Sequence, residues 1–146
     1  IANAKLPRHI TKGMRMGAYI SGKQLVANLR SDMREKKHGK VYKVSIGRGG
    51  RALKKSRLHT ASSAAETPAM ITGDFSKSIN FKVKGNRTLE FGSGSNGYAE
   101  DYAKYLETIR KPLGRTVKKL QNNVKTNIKK EINKQIKQLG FDLKGR

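Results

Sequence analysis

Hydrophobic positions along this chain change period from segment to segment, and each change marks an element. Leu25, Val26, Leu29 and Met33 recur at threes and fours, with Arg30, Arg34 and Lys37 on other faces. That spacing predicts an amphipathic helix from Ser21 to His38, closed at Gly39, where glycine would supply a left-handed residue. Val41-Tyr42-Lys43-Val44-Ser45-Ile46 is β-branched and aromatic, which favours a short strand. Alternation begins again at Ile79, Phe81 and Val83, with Asn80 and Lys82 pointing the other way and Ser76-Lys77 left outside. Lys84-Gly85-Asn86-Arg87 is turn chemistry and Thr88 to Phe91 answers it, so a hairpin is predicted. Tyr98, Tyr102, Tyr105, Leu106 and Ile109 are helically spaced until Pro112 breaks the run. Leu113, Val117, Leu120, Val124, Ile128, Ile132, Ile136 and Leu139 then mark a long amphipathic helix ending near Gly140.

The stretches between these runs are polar and glycine-rich. Pro7, Gly13 and Gly17 interrupt residues 1–20, which read as an irregular basic arm. Residues 47–70 carry Gly47-Arg48-Gly49-Gly50-Arg51, then Lys54-Lys55-Ser56-Arg57, then a run rich in Ala, Ser and Thr up to Pro68. A loop of that length inside a compact domain is commonly functional or ordered only on assembly. Residues 92–97 form a second flexible loop. The expected fold is therefore α+β. A small antiparallel β-sheet is packed by an N-terminal helix and a long C-terminal amphipathic helix, with a long basic loop. Residues 21–146 would be a single domain behind the 1–20 arm.

Composition alters this picture in two ways. Hydrophobic residues make up 35% of the chain, low for a self-sufficient globule, so part of the stability is expected from neighbouring subunits. The 33 Lys and Arg stand against 10 Asp and Glu, a formal charge of +23, and so large an excess calls for nucleic acid or an acidic protein beside it. No cysteine is present, which excludes disulfides, thiolate-bound zinc and a thiol nucleophile. No apolar run is long enough to span a bilayer, and no signal-peptide core opens the chain, so a protein made in the cytoplasm without a membrane partner is expected. The first residue is Ile, and further residues are expected to precede it.

Reactive constellations are scarce. Gly47-Arg48-Gly49-Gly50-Arg51-Ala52 matches a dinucleotide fingerprint formally, but no apolar helix follows and Glu66, the acid nearest the required spacing, lies in a loop. His9, His38 and His59 have no metal-ligand spacing, and acids cluster only at Glu100-Asp101 and Glu107. No nucleophile elbow surrounds any serine. Neither catalysis, a cofactor nor a metal is expected. The long helix sets Lys118, Lys119, Lys125, Lys129, Lys130, Lys134 and Lys137 against Glu131 alone, whereas ordinary surface helices mix signs.

The middle of the chain carries a series of short motifs in order. These are Gly39-Lys40-Val41-Tyr42, Thr60-Ala61-Ser62-Ser63-Ala64-Ala65-Glu66-Thr67-Pro68-Ala69, Thr72-Gly73-Asp74-Phe75-Ser76-Lys77-Ser78-Ile79, Tyr98-Ala99 or Tyr102-Ala103 with Tyr105-Leu106-Glu107, and Arg110-Lys111-Pro112-Leu113. From Gly39 to Leu113 the series resembles the tail-completion, or head-tail joining, proteins of tailed bacteriophages. It departs from that pattern at Ala64-Ala65, where the family has Pro-Gly, and at Thr108-Ile109, where it has Gly-Thr. The resemblance implies a virion neck protein, assembled in the host cytoplasm, that forms a usually six-fold homo-oligomeric ring. The ring would join the head connector or head-completion protein to the tail terminator or tail tube and pass the genome through its lumen. Assembly would then fall to Arg48, Arg51, Lys54, Lys55, Glu66, Pro68, Gly73, Phe75, Tyr102, Glu107 and Pro112. Lys118, Lys125 and Lys129 would face packaged DNA or acidic neighbours. The charge alone also suits a non-specific nucleic-acid-binding protein of ribosomal or nucleoid type.

Overall fold

The computed structural model describes residues 2–47, 51–64, 66–69, 73–94 and 98–140. In chain order the elements are α1 (Ala2–Arg34), β1 (Val41–Ile46), β2 (Ala52–Thr60), α2 (Asp74–Ser78), β3 (Ile79–Lys84), β4 (Thr88–Ser93), α3 (Tyr98–Ile109) and α4 (Pro112–Lys137). They make an α+β fold with two small antiparallel sheets, β1-β2 and β3-β4. The chain divides into two compact units, each built from separated segments. One takes residues 1–25, 81–91 and 117–146, and the other takes residues 26–80 and 92–116.

In the first of these units the early half of α1 lies against α4. The contact face repeats every four residues as Gly13, Gly17 and Ser21. A Cβ on Gly13 would stand 2.6 Å from the Ile132 Cα, and one on Gly17 2.5 Å from the Ile128 Cα. Only hydrogen fits there, because backbone meets backbone. Ser21, fully buried, donates its hydroxyl to the Gly17 carbonyl at 2.7 Å, and Asn127 of α4 donates to Ser21 Oγ and to Gln24 Oε1. On a neighbouring face Phe81 of β3 covers Gly22 and meets Tyr19 edge-on at 5.4 Å. This overturns the irregular arm expected for residues 1–20. Glycine costs about 1 kcal/mol per helical position in isolation, but a four-residue repeat of small residues lets two helices approach closely, and packing outweighs propensity. Pro7 lies within α1 and removes one backbone donor without ending the helix.

In the other unit the buried apolar side chains are Leu29, Met33, Val44, Phe75, Ile79, Ala103 and Leu106, with Leu29 and Ile79 wholly enclosed. Helix α1 stops at Arg34, earlier than the His38-Gly39 end read from the sequence. Lys37 explains the difference: its ammonium donates to the Asp32 carbonyl at 2.6 Å and satisfies a group that a glycine cap would have served. Gly39 has another use, since its N–H donates to the Ala61 carbonyl at 2.8 Å and a Cβ there would stand 2.5 Å from that oxygen.

Within the long loop expected over 47–70, Ala52–Thr60 is a strand. β2 pairs antiparallel with β1, Val41 opposite Thr60 through Val44 opposite Arg57, and then Ile46 opposite Ala52 after a register shift. Leu53 to Ser56 stand opposite Ser45 alone, as a bulge. The Lys and Arg content hid this strand, but an exposed ribbon needs no alternating core face, and its backbone ladder forms whatever the side chains are. Of β1, only Val44 is buried. α3 and α4 are separate helices as Pro112 requires, with Lys111 between them at φ 48°.

Candidate functional site

Two charged side chains, Glu66 and Arg110, make the polar contacts around Ser62 and Ser63. Glu66 accepts from the Ser63 N–H at 2.8 Å and from the His38 N–H at 3.3 Å, and its other oxygen meets His38 Nδ1 at 2.6 Å. These hydrogen bonds, that from the His38 ring foremost, pull the Glu66 carboxyl down to about 2. The Arg110 guanidinium donates to the carbonyls of Ser62 and Ser63. Ser63 is thus held through both its N–H and its carbonyl.

The second joint is the turn from α3 into α4. Glu107, near the end of α3, accepts from the N–H groups of Leu113 at 2.9 Å and Gly114 at 3.0 Å. Those donors belong to the first turn of α4 and have no partner within their own helix. A carboxylate there also meets the positive end of the helix dipole. Pro112 is the first residue of α4 and is buried, where its missing N–H costs nothing. A third joint is at α2: Gly73 precedes it at φ 84°, and Arg30 closes it by donating to the Ser76 and Ile79 carbonyls, both at 2.9 Å.

The residues singled out from the sequence therefore separate by role. Glu66, Gly73, Glu107 and Pro112 stand at these joints, and Phe75 and Pro68 are buried beside them in the chain. Lys54 and Lys55 are exposed on the bulge of β2, and Arg51 is exposed just ahead of it, its carbonyl accepting from the Gly47 N–H at 2.7 Å. Arg48 lies outside the described residues, as does the Tyr102 side chain. Lys118, Lys125 and Lys129 are exposed along one side of α4. The structure does not bring the β2 cations and the α4 lysines into one unit. His38, Ser63, Arg110 and Arg30 complete the joints and were not found from the sequence. Each acts through a partner far along the chain or through backbone atoms, and neither leaves a spacing pattern.

Charge is unevenly shared. The unit containing most of α4 has 17 Lys and Arg against 3 Asp and Glu, whereas the other has 16 against 7. Among the described residues no group of three His, Cys, Asp or Glu could hold a metal ion, and no helix is long and apolar enough to cross a membrane. The chain matches no family model, no curated protein and no solved structure.

The hairpin β1-β2 supplies the remaining surface of note. Val41, Tyr42, Ile46 and Leu58 are all exposed, Leu58 at 71%. Val41 with Thr60, and Lys43 with Leu58, share one face of the ribbon. Tyr42 and His59 pair on the opposite face, edge-on at 5.4 Å, and burial together with the Arg57 charge pushes the His59 imidazole down. A two-stranded ribbon with so much apolar surface in water is marginal by itself.

Proposed function

We propose that this chain is a structural, non-enzymatic virion protein of a tailed phage. It would be a ring-forming tail-completion component that joins the head connector to the tail. The observation that carries the reading is where the motif residues stand. Gly39, Glu66, Gly73, Glu107 and Pro112, which carry the resemblance, stand at the contacts to Ala61 and Ser63, at the start of α2 and at the start of α4. Motif positions that determine local geometry support a shared fold more strongly than scattered surface matches do. The β1-β2 ribbon, apolar and basic at once, suits a head-to-tail contact between ring neighbours, each covering the next subunit's hairpin. The same charge also favours nucleic acid as a partner. Six copies at +23 would carry on the order of +140, which requires an acidic lining or DNA to offset it.

Native mass spectrometry of the purified chain, with electron microscopy of the particles, tests the ring. A closed oligomer of six or so subunits is expected. A monomer or dimer at every concentration, together with steep salt-dependent binding to DNA, would favour the nucleoid-type reading instead.

A further inference from the structure

The first acidic residue of the chain is Asp32, so the opening turns of α1 carry unmixed positive charge. Arg8, Lys12 and Arg15 follow one another at steps of four and three and share one face of the helix, all exposed. They line an open groove of about 370 Å³ with Pro7, Thr11 and, from the β3-β4 turn, Asn86. The adjoining hollow brings in Arg87 from the same turn. No hydrogen bond or ion pair engages Arg8, Lys12, Arg15 or Arg87 among the described residues. Of the acids described in this unit, Glu90 pairs with Lys84 at 2.7 Å, and Glu131, whose backbone packs beside Gly13, lines neither hollow. Three cations of α1 thus line the groove, with Arg87 in the hollow beside it, and no acidic side chain among the described residues lines either.

We propose that this groove, and not the β1-β2 hairpin, binds the phosphate backbone of double-stranded DNA without regard to sequence. Over Arg8 to Arg15 the cations extend roughly 10 Å along the helix axis, a length over which a duplex presents several phosphates. Backbone contact is favoured over base contact because no aromatic ring lines the groove to stack on an unpaired base. Tyr19, the nearest aromatic on α1, already meets Phe81 and lies 4.8 Å under the Lys23 ammonium. The inference goes beyond ring assembly, since a single subunit would show it.

The test is the salt dependence of binding to a random-sequence duplex, read by fluorescence anisotropy between about 50 and 200 mM salt. Combining Arg8→Gln, Lys12→Gln and Arg15→Gln is expected to reduce the slope of log affinity against log salt by about 2–3. Glutamine keeps helix propensity, and all three side chains are exposed, so circular dichroism should be unchanged. Lys40→Gln, Lys43→Gln and Lys77→Gln, which remove the same charge from exposed positions of the other unit, should leave the slope within about 1 of its starting value. Arg8→Lys with Arg15→Lys should retain it. In the unaltered protein, bound duplex should protect the Lys12 amine from acetylation and leave Lys40 reactive. Equal losses in the two triple variants, a preference for single strands, no binding at about 50 mM salt or an unprotected Lys12 would each overturn the assignment. Native mass spectrometry of the same samples reports the ring separately.

Discussion

Replacing Gly17 by alanine sets two well-measured effects against each other. Helix propensity alone says the change should stabilise α1 by about 1 kcal/mol, because glycine is the poorer helix former. The packing says the opposite. The new Cβ would stand 2.5 Å from the Ile128 Cα and 2.9 Å from its nitrogen, where atoms in ordinary contact keep about 3.5–4 Å. Relieving this requires α1 and α4 to part by roughly 1 Å along the shared face, since backbone atoms cannot rotate aside as a side chain would. Overpacking costs about 1–3 kcal/mol, and a 2.5 Å approach to backbone belongs in the upper part of that range, about 2–3 kcal/mol, leaving a net loss of about 1–2 kcal/mol after the propensity gain of about 1. Thermal unfolding followed by circular dichroism should show Tm lowered by roughly 3–8 °C. Because the obstacle is the Ile128 Cα, adding Ile128→Ala should not restore stability. If Gly17→Ala raised Tm, or if Ile128→Ala relieved the loss, the close backbone contact would be refuted.

Two further outcomes follow from the polar joints. Glu107→Ala should destabilise the first turn of α4 by about 1 kcal/mol, and amide exchange at Leu113 and Gly114 should accelerate while exchange in the middle of α4 does not. Glu66 is held near 2 in the folded chain against an ordinary value of 4.5, so the unfolded chain takes up its proton first as the solution is acidified. The stability it contributes is full above about 4.5 and disappears as pH falls towards 2, and urea denaturation across that window should lose this dependence in Glu66→Gln.

What the sequence revealed depended on whether the cause of an element lay within it. β1 was placed from Val41 to Ile46, the β3-β4 turn from Lys84 to Arg87, and the break at Pro112, because side-chain shape, turn chemistry and a missing N–H are local properties. The first half of α1 was not, since Gly13 and Gly17 look like interruptions until α4 is seen lying across them. β2 was hidden by its lysines, and Lys37 ended α1 through a carbonyl that no pattern marks. At the joints Glu66, Gly73, Glu107 and Pro112 were picked out by their place in a motif. The contacts of His38, Arg110 and Arg30 were not legible, although Arg110 itself stands in a motif, because they bridge long stretches of chain and end mostly on main-chain atoms.

The seam between α1 and α4 has a consequence for how the protein is made. Ser21 and Asn127 lie 106 positions apart, so the ribosome releases the first helix long before the surface it needs. At about 5–20 residues per second the wait is roughly 5–20 s. Throughout that interval a stretch holding Pro7, Gly13 and Gly17 lacks the α4 backbone that its small residues fit, and its cations emerge on an open chain. A nascent chain halted before Ile128 should therefore expose Arg8, Lys12 and Arg15 to trypsin, and the same bonds should become resistant once the finished chain is released and the last helix closes on the first.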